Sequence, residues 1–161
     1  MSEIVIRSAR DEDAQGLISL IANAFAEYPG CILDVDVDMP ELRRPATAIK
    51  TEKGRWWVAE LGGDVVGSVA VTPMEERLIE LKKLYVSPVA RRRGLGAHLV
   101  ALAESEAKSR KAMTLFLWTD TRFEDAHRLY ERLGYGRAPH TRALNDGSNT
   151  IEYHYSKDLD L

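Results

Sequence analysis

A strand, a glycine-rich turn and a helix follow one another directly, and this unit constrains the fold more than any other segment. Leu78–Val86 alternates like a strand, and a helical pattern begins at Leu95. Between them lies Arg91–Gly96, which reads RRRGLG. The start of a helix presents unpaired amides and the positive end of the helix dipole, and glycine lets an anion approach the backbone. The segment therefore predicts a phosphate-binding turn.

Two well-known phosphate loops do not fit this turn. A Walker A loop ends in Gly-Lys-Ser/Thr, whereas Gly96 is followed by Ala97-His98. A dinucleotide-binding fingerprint needs a third glycine or an alanine at the position of Leu99. Six residues alone also fit a basic surface turn that caps a helix, and this alternative stays open at this point.

Hydrophobic periodicity predicts the element order β-α-α-β-β-β-α-β-α-β-β along the chain. Hairpins come first and a β-α-β crossover follows. We therefore expect one α+β domain over residues 1–161, with three layers and a mixed, mostly antiparallel central sheet of about seven strands and about four helices. Strands are expected at residues 3–8, 55–61, 65–72, 78–86, 113–119, 135–144 and 150–157, and helices at about 11–28, 40–53, 95–111 and 123–133.

Charge and composition exclude several kinds of partner. The net charge is −3 and the only dense basic cluster is Arg91–Arg93, which favours a small anion over nucleic acid. No apolar run approaches the roughly 18 residues of a membrane span, and the first residues lack a signal peptide's apolar region. With a single cysteine, Cys31, a cytoplasmic protein is expected. The four histidines lack zinc-ligand spacing, so no metal is expected.

Two motifs resemble one enzyme family. Leu84–Pro88 (LYVSP), followed by Arg91-x-x-Gly94-x-Gly96, resembles the acetyl-CoA-binding core of the GNAT family, the Gcn5-related N-acetyltransferases. Ala126–Tyr135 (AHRLYERLGY) looks like that family's Ala-x-x-Leu-Tyr-x-x-x-Gly-Phe segment. The two motifs lie on opposite sides of a predicted strand, as they do in the family.

The resemblance implies a GNAT-like fold with a splayed central pair of strands, acetyl-CoA as the acetyl donor and no metal. In the family the turn holds the CoA pyrophosphate; here the amide of Leu84 would face the acetyl carbonyl, and Val86 would hold the pantetheine arm. Phe123 stands where the family commonly has an asparagine that touches the cofactor, so either Thr121, Arg122 or a water replaces that contact or the contact is absent. The expected cofactor-binding residues are Leu84, Tyr85, Val86, Arg91, Arg92, Arg93, Gly94, Leu95, Gly96 and Ala97.

Two residues are candidates for catalysis of acetyl transfer. Tyr130 matches the family position whose hydroxyl protonates the CoA thiolate; a core tyrosine is the alternative. Glu80 is a candidate base, acting directly or through water, because some members of the family have a glutamate here. Strand alternation would place Glu80, Lys82 and Leu84 on one face unless a bulge intervenes. A solvated strand carboxylate is an equal alternative for Glu80.

The acceptor is predicted to be a primary amine, small molecule or peptide, and cationic. Asp34, Asp36 and Asp38 lie in a loop that lines the acceptor site in the family, although a solvated loop also fits them. A homodimer is the expected assembly. Of Trp56 and Trp57, one is expected in the core and one at the acceptor pocket or a dimer contact, while His127 is expected on a helix surface. A longer acyl donor, or a non-catalytic acyl-CoA-binding regulatory module, remains an alternative function.

Overall fold

The computed structural model describes residues 3–160, and a single seven-stranded sheet runs through them in the order β1-β2-β3-β4-β5-β7-β6. Neighbouring strands are antiparallel except β4 and β5, which are parallel. The mixed, mostly antiparallel sheet expected from the sequence is therefore confirmed. The strands are β1 Val5–Ser8, β2 Arg55–Leu61, β3 Asp64–Glu75, β4 Leu78–Val86, β5 Thr114–Asp120, β6 Gly136–Ala143 and β7 Ile151–Asp158.

Five α-helices flank the sheet: α1 Ala14–Ala26, α2 Val35–Asp38, α3 Pro45–Thr51, α4 Leu95–Ser109 and α5 Glu124–Arg132. Short 3-10 turns occupy Asp11–Asp13, Pro40–Arg43 and Pro88–Ala90. The helix that the periodicity did not predict is α2. Its sequence, VDVD, alternates, but the side chain of Asp34 accepts a hydrogen bond from the amide of Val37 and caps a single helical turn.

Two hydrophobic layers enclose the sheet. On one face, α4 and α5 pack over a core that includes Leu99, Leu115 and Tyr155. On the other face, α1 packs over a second core around Leu17 and Trp56. Trp56 is 3% exposed and Trp57 8%, one in each layer, so the expectation that one tryptophan reaches a pocket or a dimer contact is wrong. Successive strand residues face opposite layers, and both layers here are apolar.

The central strands separate where the site forms. β4 and β5 pair only from Leu78 to Glu80, opposite Thr114 to Phe116, and diverge after Glu80. β4 also contains a bulge against β3, because Lys82 pairs with Ala70 but Tyr85 pairs with Ser68.

The bulge contains Lys83, whose φ is 58°, and it reverses the alternation of β4. Leu84 consequently packs toward the α4 layer with Leu81, while Tyr85 packs toward the α1 layer. Glu80 and Leu84 therefore do not share a face, contrary to simple alternation. The local pattern of apolar and polar residues does not reveal a bulge, because both sides of β4 are partly buried.

Candidate active site

The glycine-rich turn opens α4 as an anion site. Gly94 is the N-cap residue with φ 73°, a left-handed conformation that favours glycine, and no side chain caps the helix. The first helical hydrogen bond is donated by the His98 amide to the Gly94 carbonyl at 3.0 Å. The amides of Leu95, Gly96 and Ala97 therefore lack an intrahelical acceptor and suit the oxygens of a phosphate.

Close packing fixes this turn against the sheet. Leu95 is 6% exposed and Leu99 is fully buried, so both anchor α4 to the sheet. A Cβ on Gly67 of β3 would lie 3.0 Å from Leu95 and 3.3 Å from Leu99, so glycine there allows the helix to approach closely. The anion site is consequently held by the core rather than by a free loop.

A cleft of about 550 Å³ extends from this turn along the end of β4. Nine of the ten residues that the sequence predicts for the cofactor line it: Leu84, Tyr85, Val86, Arg91, Arg92, Gly94, Leu95, Gly96 and Ala97. Arg93 does not line it. The remaining lining residues are Ala90, just before the turn, and residues in or next to α1 and α5: Ala24, Glu27, Tyr28, Phe123, Asp125, Ala126, Leu129 and Arg132. The unpaired amides and this shape fit a CoA pyrophosphate and its pantetheine arm.

Arg91, at the mouth of this cleft, is hydrogen-bonded to other groups of the same chain. Its two terminal nitrogens donate to the carboxylate of Glu27 at 2.8 and 2.6 Å, and its Nε donates to the carbonyl of Val86 at 3.2 Å. The hydrogen bonds from Arg91 lower the pKa of Glu27, which stays ionised. Arg91 therefore ties α1 to the end of β4, and the backbone amides together with Arg92 are the donors that remain for an anion.

An aromatic wall occupies the position of the family's asparagine. The Phe123 ring lies 4.9 Å from the Tyr28 ring and 6.0 Å from the Phe25 ring, measured between centroids. Phe123 offers no polar side-chain group, so it cannot make the hydrogen bond that the family's asparagine makes.

A second cleft, of about 350 Å³, opens between the diverging strands and is called the acceptor cleft below. It shares Leu84, Tyr85, Phe123 and Ala126 with the cofactor cleft, so the two meet at these residues. The far wall joins the segment after α1 to the β6–β7 loop. Ser148 holds them together, because its hydroxyl accepts from the Ile32 amide at 2.7 Å and lies 3.0 Å from the Ile32 carbonyl.

Tyr130 lines the acceptor cleft, although its side chain belongs to the core. The residue is 4% exposed and packs against Tyr135 and Tyr155 at centroid distances of 6.0 and 5.7 Å. Its hydroxyl has no hydrogen-bond partner within residues 3–160, and it is not among their fully enclosed unpaired atoms, Thr72 Oγ1 and His154 Nδ1. The hydroxyl therefore keeps access to the cleft. Burial raises the pKa of Tyr130, so the group is protonated at neutral pH.

The acceptor cleft carries a negative surplus. Its charged lining residues are Asp38, Asp120, Asp146, Glu152, Lys82 and Lys83. Lys83 pairs with Glu41 at 2.8 Å, and Lys82 lies 3.9 Å from Glu80 and 3.8 Å from Glu52. Arg122 pairs with Asp120 at 2.8 Å, and Arg142 with Glu152 at 2.7 Å.

Within the described part of the chain, neither Asp38 nor Asp146 forms an ion pair within 4 Å, although the charge of Arg122, which pairs with Asp120, also acts on Asp146. Burial alone would raise the pKa of Asp146, but hydrogen bonds from Thr150 lower it on balance. Of the three aspartates predicted for the acceptor, only Asp38 lines the cleft. Asp34 caps α2, and Asp36 pairs with Arg43 at 3.1 Å on the surface.

Glu80 does not line either cleft. Its side chain is 14% exposed and lies behind Lys82 on the face of β4 opposite Leu84. Burial raises its pKa, and Lys82 partly offsets this effect. Glu152, by contrast, lines the acceptor cleft directly, and its negative charge raises the pKa of Glu80 further. Nothing in the local sequence singled out Glu152, because it reaches the site from β7, far along the chain.

His127 is buried rather than exposed, so the expectation of a surface position is wrong. It is 5% exposed, and its Nε2 lies 2.9 Å from the carbonyl oxygen of Asp120. Its ring lies 5.2 Å from Tyr153, between centroids, under α5. His127 thereby anchors α5 to the end of β5, which positions Tyr130 one turn later.

The protein should lose stability as the pH falls below about 6.5, the ordinary pKa of histidine. Burial lowers the pKa of both His127 and His154, so the unfolded chain binds more protons than the folded chain just below that pH. The free energy of unfolding should therefore decrease with decreasing pH, as measured by urea titrations at several pH values. His154→Leu should reduce this decrease, whereas His98→Gln on the exposed side of α4 should retain it. An equal pH dependence in His154→Leu and the wild type would contradict the assignment to His154.

Residues 3–160 contain no group of three or more His, Cys, Asp or Glu side chains placed to hold a metal ion. Within the same residues, no helix combines the length and the apolar character that crossing a membrane requires.

Comparisons with known proteins agree with this geometry. A sequence model of the Acetyltransferase (GNAT) family matches residues 17–135. Uncharacterized N-acetyltransferase YjgM of Escherichia coli (strain K12) is 29% identical over 140 residues, which are 81% of this chain and 81% of that protein.

Two solved structures show the fold. A GNAT-family acetyltransferase from Staphylococcus aureus Mu50 has a TM-score of 0.85 at 20% identity, covering 98% of this chain and 100% of that chain. The structure of yncA from Salmonella typhimurium, with its cofactor acetyl-CoA, has a TM-score of 0.76 at 19% identity, covering 99% of this chain and 96% of that chain.

The family match extends from α1 through the phosphate turn to Tyr135, which is well over half of the chain, and it includes both motifs. The splayed strands and the anion site at the start of α4 are where that family binds its cofactor. The chain therefore belongs to the acetyltransferase (GNAT) family, with acetyl-CoA as the acetyl donor.

Proposed function

We propose that this protein transfers the acetyl group of acetyl-CoA directly to a primary amine that is cationic in solution. The observation that carries the proposal is the meeting of the two clefts at Leu84, Tyr85, Phe123 and Ala126, with Tyr130 on the acceptor side. A non-catalytic acyl-CoA-binding module would need the cofactor cleft alone. An open acceptor cleft that adjoins it favours an enzyme.

The cofactor would lie along the splayed side of β4. Its pyrophosphate would accept hydrogen bonds from the amides of Leu95, Gly96 and Ala97, and its arm would follow Val86 toward the junction of the clefts. Leu84 lies in the bulge, outside the regular pairing with β3. Its amide is therefore the proposed donor to the carbonyl oxygen of the acetyl group as negative charge develops there.

Acetyl transfer needs three coupled changes. The ammonium form of the acceptor loses a proton, its nitrogen forms a bond to the acetyl carbon, and the carbon–sulfur bond breaks with its electron pair on sulfur. Tyr130 would donate its proton to that sulfur and recover one from solvent. Glu80 would accept the ammonium proton through water, because it does not line the cleft, or Glu152 would accept it directly. The nitrogen would lose its second proton to the same base as the tetrahedral intermediate collapses to the amide, and the base would pass both protons to solvent.

The cationic character of the acceptor rests on the two acidic groups of the cleft that form no ion pair among the described residues, Asp38 and Asp146. A cleft with unneutralised carboxylates attracts cations, and this attraction weakens as ionic strength rises. A neutral or anionic amine would gain nothing from them. The cleft would therefore select its acceptor first by positive charge and only then by shape.

Asp38→Asn should raise the KM for a cationic amine about 3- to 10-fold and flatten its salt dependence, because it removes one unpaired charge. The KM for acetyl-CoA should stay nearly constant. Steady-state kinetics at low and high salt measure both effects. Asp36→Asn is the matched control, since Asp36 lies in the same segment but is exposed and outside the cleft. If both variants shift the amine's KM equally, the effect belongs to the surface and not to the cleft.

The activity itself is tested by incubating the protein with acetyl-CoA and a panel of primary amines, and measuring release of the free CoA thiol. Release that depends on the amine, with an acetylated product of the expected mass, supports the proposal. Tight acetyl-CoA binding without amine-dependent release would instead favour the regulatory module. Longer acyl-CoA donors in the same assay define the acyl preference.

Assembly and location are proposed from the sequence alone: a homodimer in the cytoplasm. Sedimentation equilibrium measures the assembly. A mass that stays at the 18.1 kDa of one chain across concentrations would exclude the dimer.

A further inference from the structure

Exposed apolar side chains gather at the mouth of the acceptor cleft. Eight large hydrophobic residues are exposed within residues 3–160, and three of them line this cleft: Ile32 at 58%, Val37 at 75% and Leu144 at 38%. Single exposed apolar residues need no explanation, but a cluster around a cleft does. Ile32, Val37 and Leu144 are called the apolar rim below.

The apolar rim is held in place rather than left loose. The backbone of Ile32 makes two hydrogen bonds with the side chain of Ser148, at 2.7 and 3.0 Å. Those bonds join the segment that carries Ile32 to the loop that carries Leu144. Val37 belongs to α2, whose cap is formed by Asp34. The rim therefore has a defined shape before any ligand binds, which reduces the ordering cost of binding.

Acidic residues of the cleft neighbour the rim residues in sequence. Asp38 follows Val37 in α2, and Asp146 lies two residues after Leu144. Both aspartates are half-buried and line the same cleft as the rim. A ligand that satisfies both groups needs a positive charge for the carboxylates and an apolar body for the rim.

We infer that the acceptor is an amphipathic small amine, with its ammonium group beside Asp38 and Asp146 and an alkyl or aryl body against the apolar rim. The inference rests on the proposed function and specifies its substrate class. The cleft volume of about 350 Å³ is within the range of small-molecule sites. Three side chains are too few for a stable dimer contact, which buries about 800 Å² per partner. Polyamines carry further positive charges along the chain and amino acids carry a carboxylate, so neither class combines a single ammonium group with an otherwise uncharged apolar body.

An amine series of matched length tests the substrate class. The probes are n-propylamine, n-hexylamine, 1,6-diaminohexane and 6-aminohexanoate, with kcat/KM measured by CoA thiol release. The value should rise about fourfold for each methylene group that the rim covers, so n-hexylamine should exceed n-propylamine at least about tenfold. It should also exceed the diamine and the amino acid of the same length. A diamine that equals or exceeds n-hexylamine, or the lack of any chain-length effect, would overturn the inference.

Rim variants locate the effect. Val37→Ser and Leu144→Ser should each raise the KM for n-hexylamine about 3- to 10-fold and leave that for n-propylamine nearly unchanged. Val5→Ser is the control, because Val5 is 54% exposed on β1 at the opposite edge of the sheet. A change of oligomeric state in the rim variants, with KM unchanged, would show instead that the rim binds a second copy. If no amine is acetylated although acetyl-CoA binds in calorimetry, the proposed function fails before this inference is reached.

Discussion

Tyr130→Phe should lower kcat about 10²- to 10⁴-fold and leave the Kd of acetyl-CoA nearly unchanged. The substitution removes one hydroxyl group from a ring that is 4% exposed and packed between Tyr135 and Tyr155, so the packing is preserved. The hydroxyl has no partner in the described chain whose loss could destabilise the fold. Burial raises the pKa of Tyr130 and keeps its hydroxyl protonated, as the proposed donation to the sulfur requires.

Tyr135→Phe is the matched control for this prediction. Tyr135 is also buried, at 3% exposed, but its hydroxyl donates to Glu104 at 2.7 Å and lines neither cleft. Its replacement should lower the free energy of unfolding by about 1 kcal/mol, because one hydrogen bond is lost, and should change kcat little. Single-turnover kinetics establish that the chemical step is measured. Equal single-turnover rates for Tyr130→Phe and the wild type would reduce Tyr130 to a core residue.

The phosphate turn could be predicted because its physics is local. The amides that remain unpaired belong to the first residues of α4, and the glycines that permit close approach lie beside them in sequence. The strand before the turn and the helix after it each show a clear periodicity of hydrophobic residues. A short segment therefore predicted nine of the residues that line the cofactor cleft.

The acceptor side could not be predicted in the same way, because its walls come from distant segments. Ile32 and Ser148 are 116 residues apart and meet only through the fold. Glu152 approaches from β7, and its neighbours in sequence resemble any exposed strand. Periodicity identifies elements but does not bring them together. The aspartates of residues 34–38 illustrate this limit, since only Asp38 lines the cleft.

The bulge in β4 shows a different limit. Counting by two from Glu80 predicts that Leu84 lies on the same face, but one extra residue at Lys83 moves it to the other. As a result, Leu84 faces the α4 layer and the cofactor cleft, whereas Glu80 lies next to Lys82 on the opposite face of β4. A single backbone irregularity thus decides which strand residues can act together, and a side-chain pattern does not report it.

Gly96→Val should raise the Kd of acetyl-CoA at least about 100-fold, which corresponds to about 2.7 kcal/mol. Gly96 lines the cofactor cleft, and a Cβ there would lie 3.1 Å from Leu129 and 3.9 Å from Val86. The valine branches would therefore occupy the space through which an anion reaches the amides of α4. Gly96 tests this occupancy better than Gly94, because only Gly94 has the left-handed backbone that a side chain would strain.

Gly136→Val separates loss of the cofactor site from a general effect of valine. A Cβ on Gly136 would meet no atom within 4 Å, the residue lies in strand β6, and it does not line the cofactor cleft. This variant should bind acetyl-CoA like the wild type in calorimetry, and valine suits a strand. Circular dichroism and thermal unfolding establish that Gly96→Val is folded before its Kd is compared. A folded Gly96→Val variant with unchanged affinity would mean that the pyrophosphate does not lie on the α4 amides, because no anion could reach them past the added side chain.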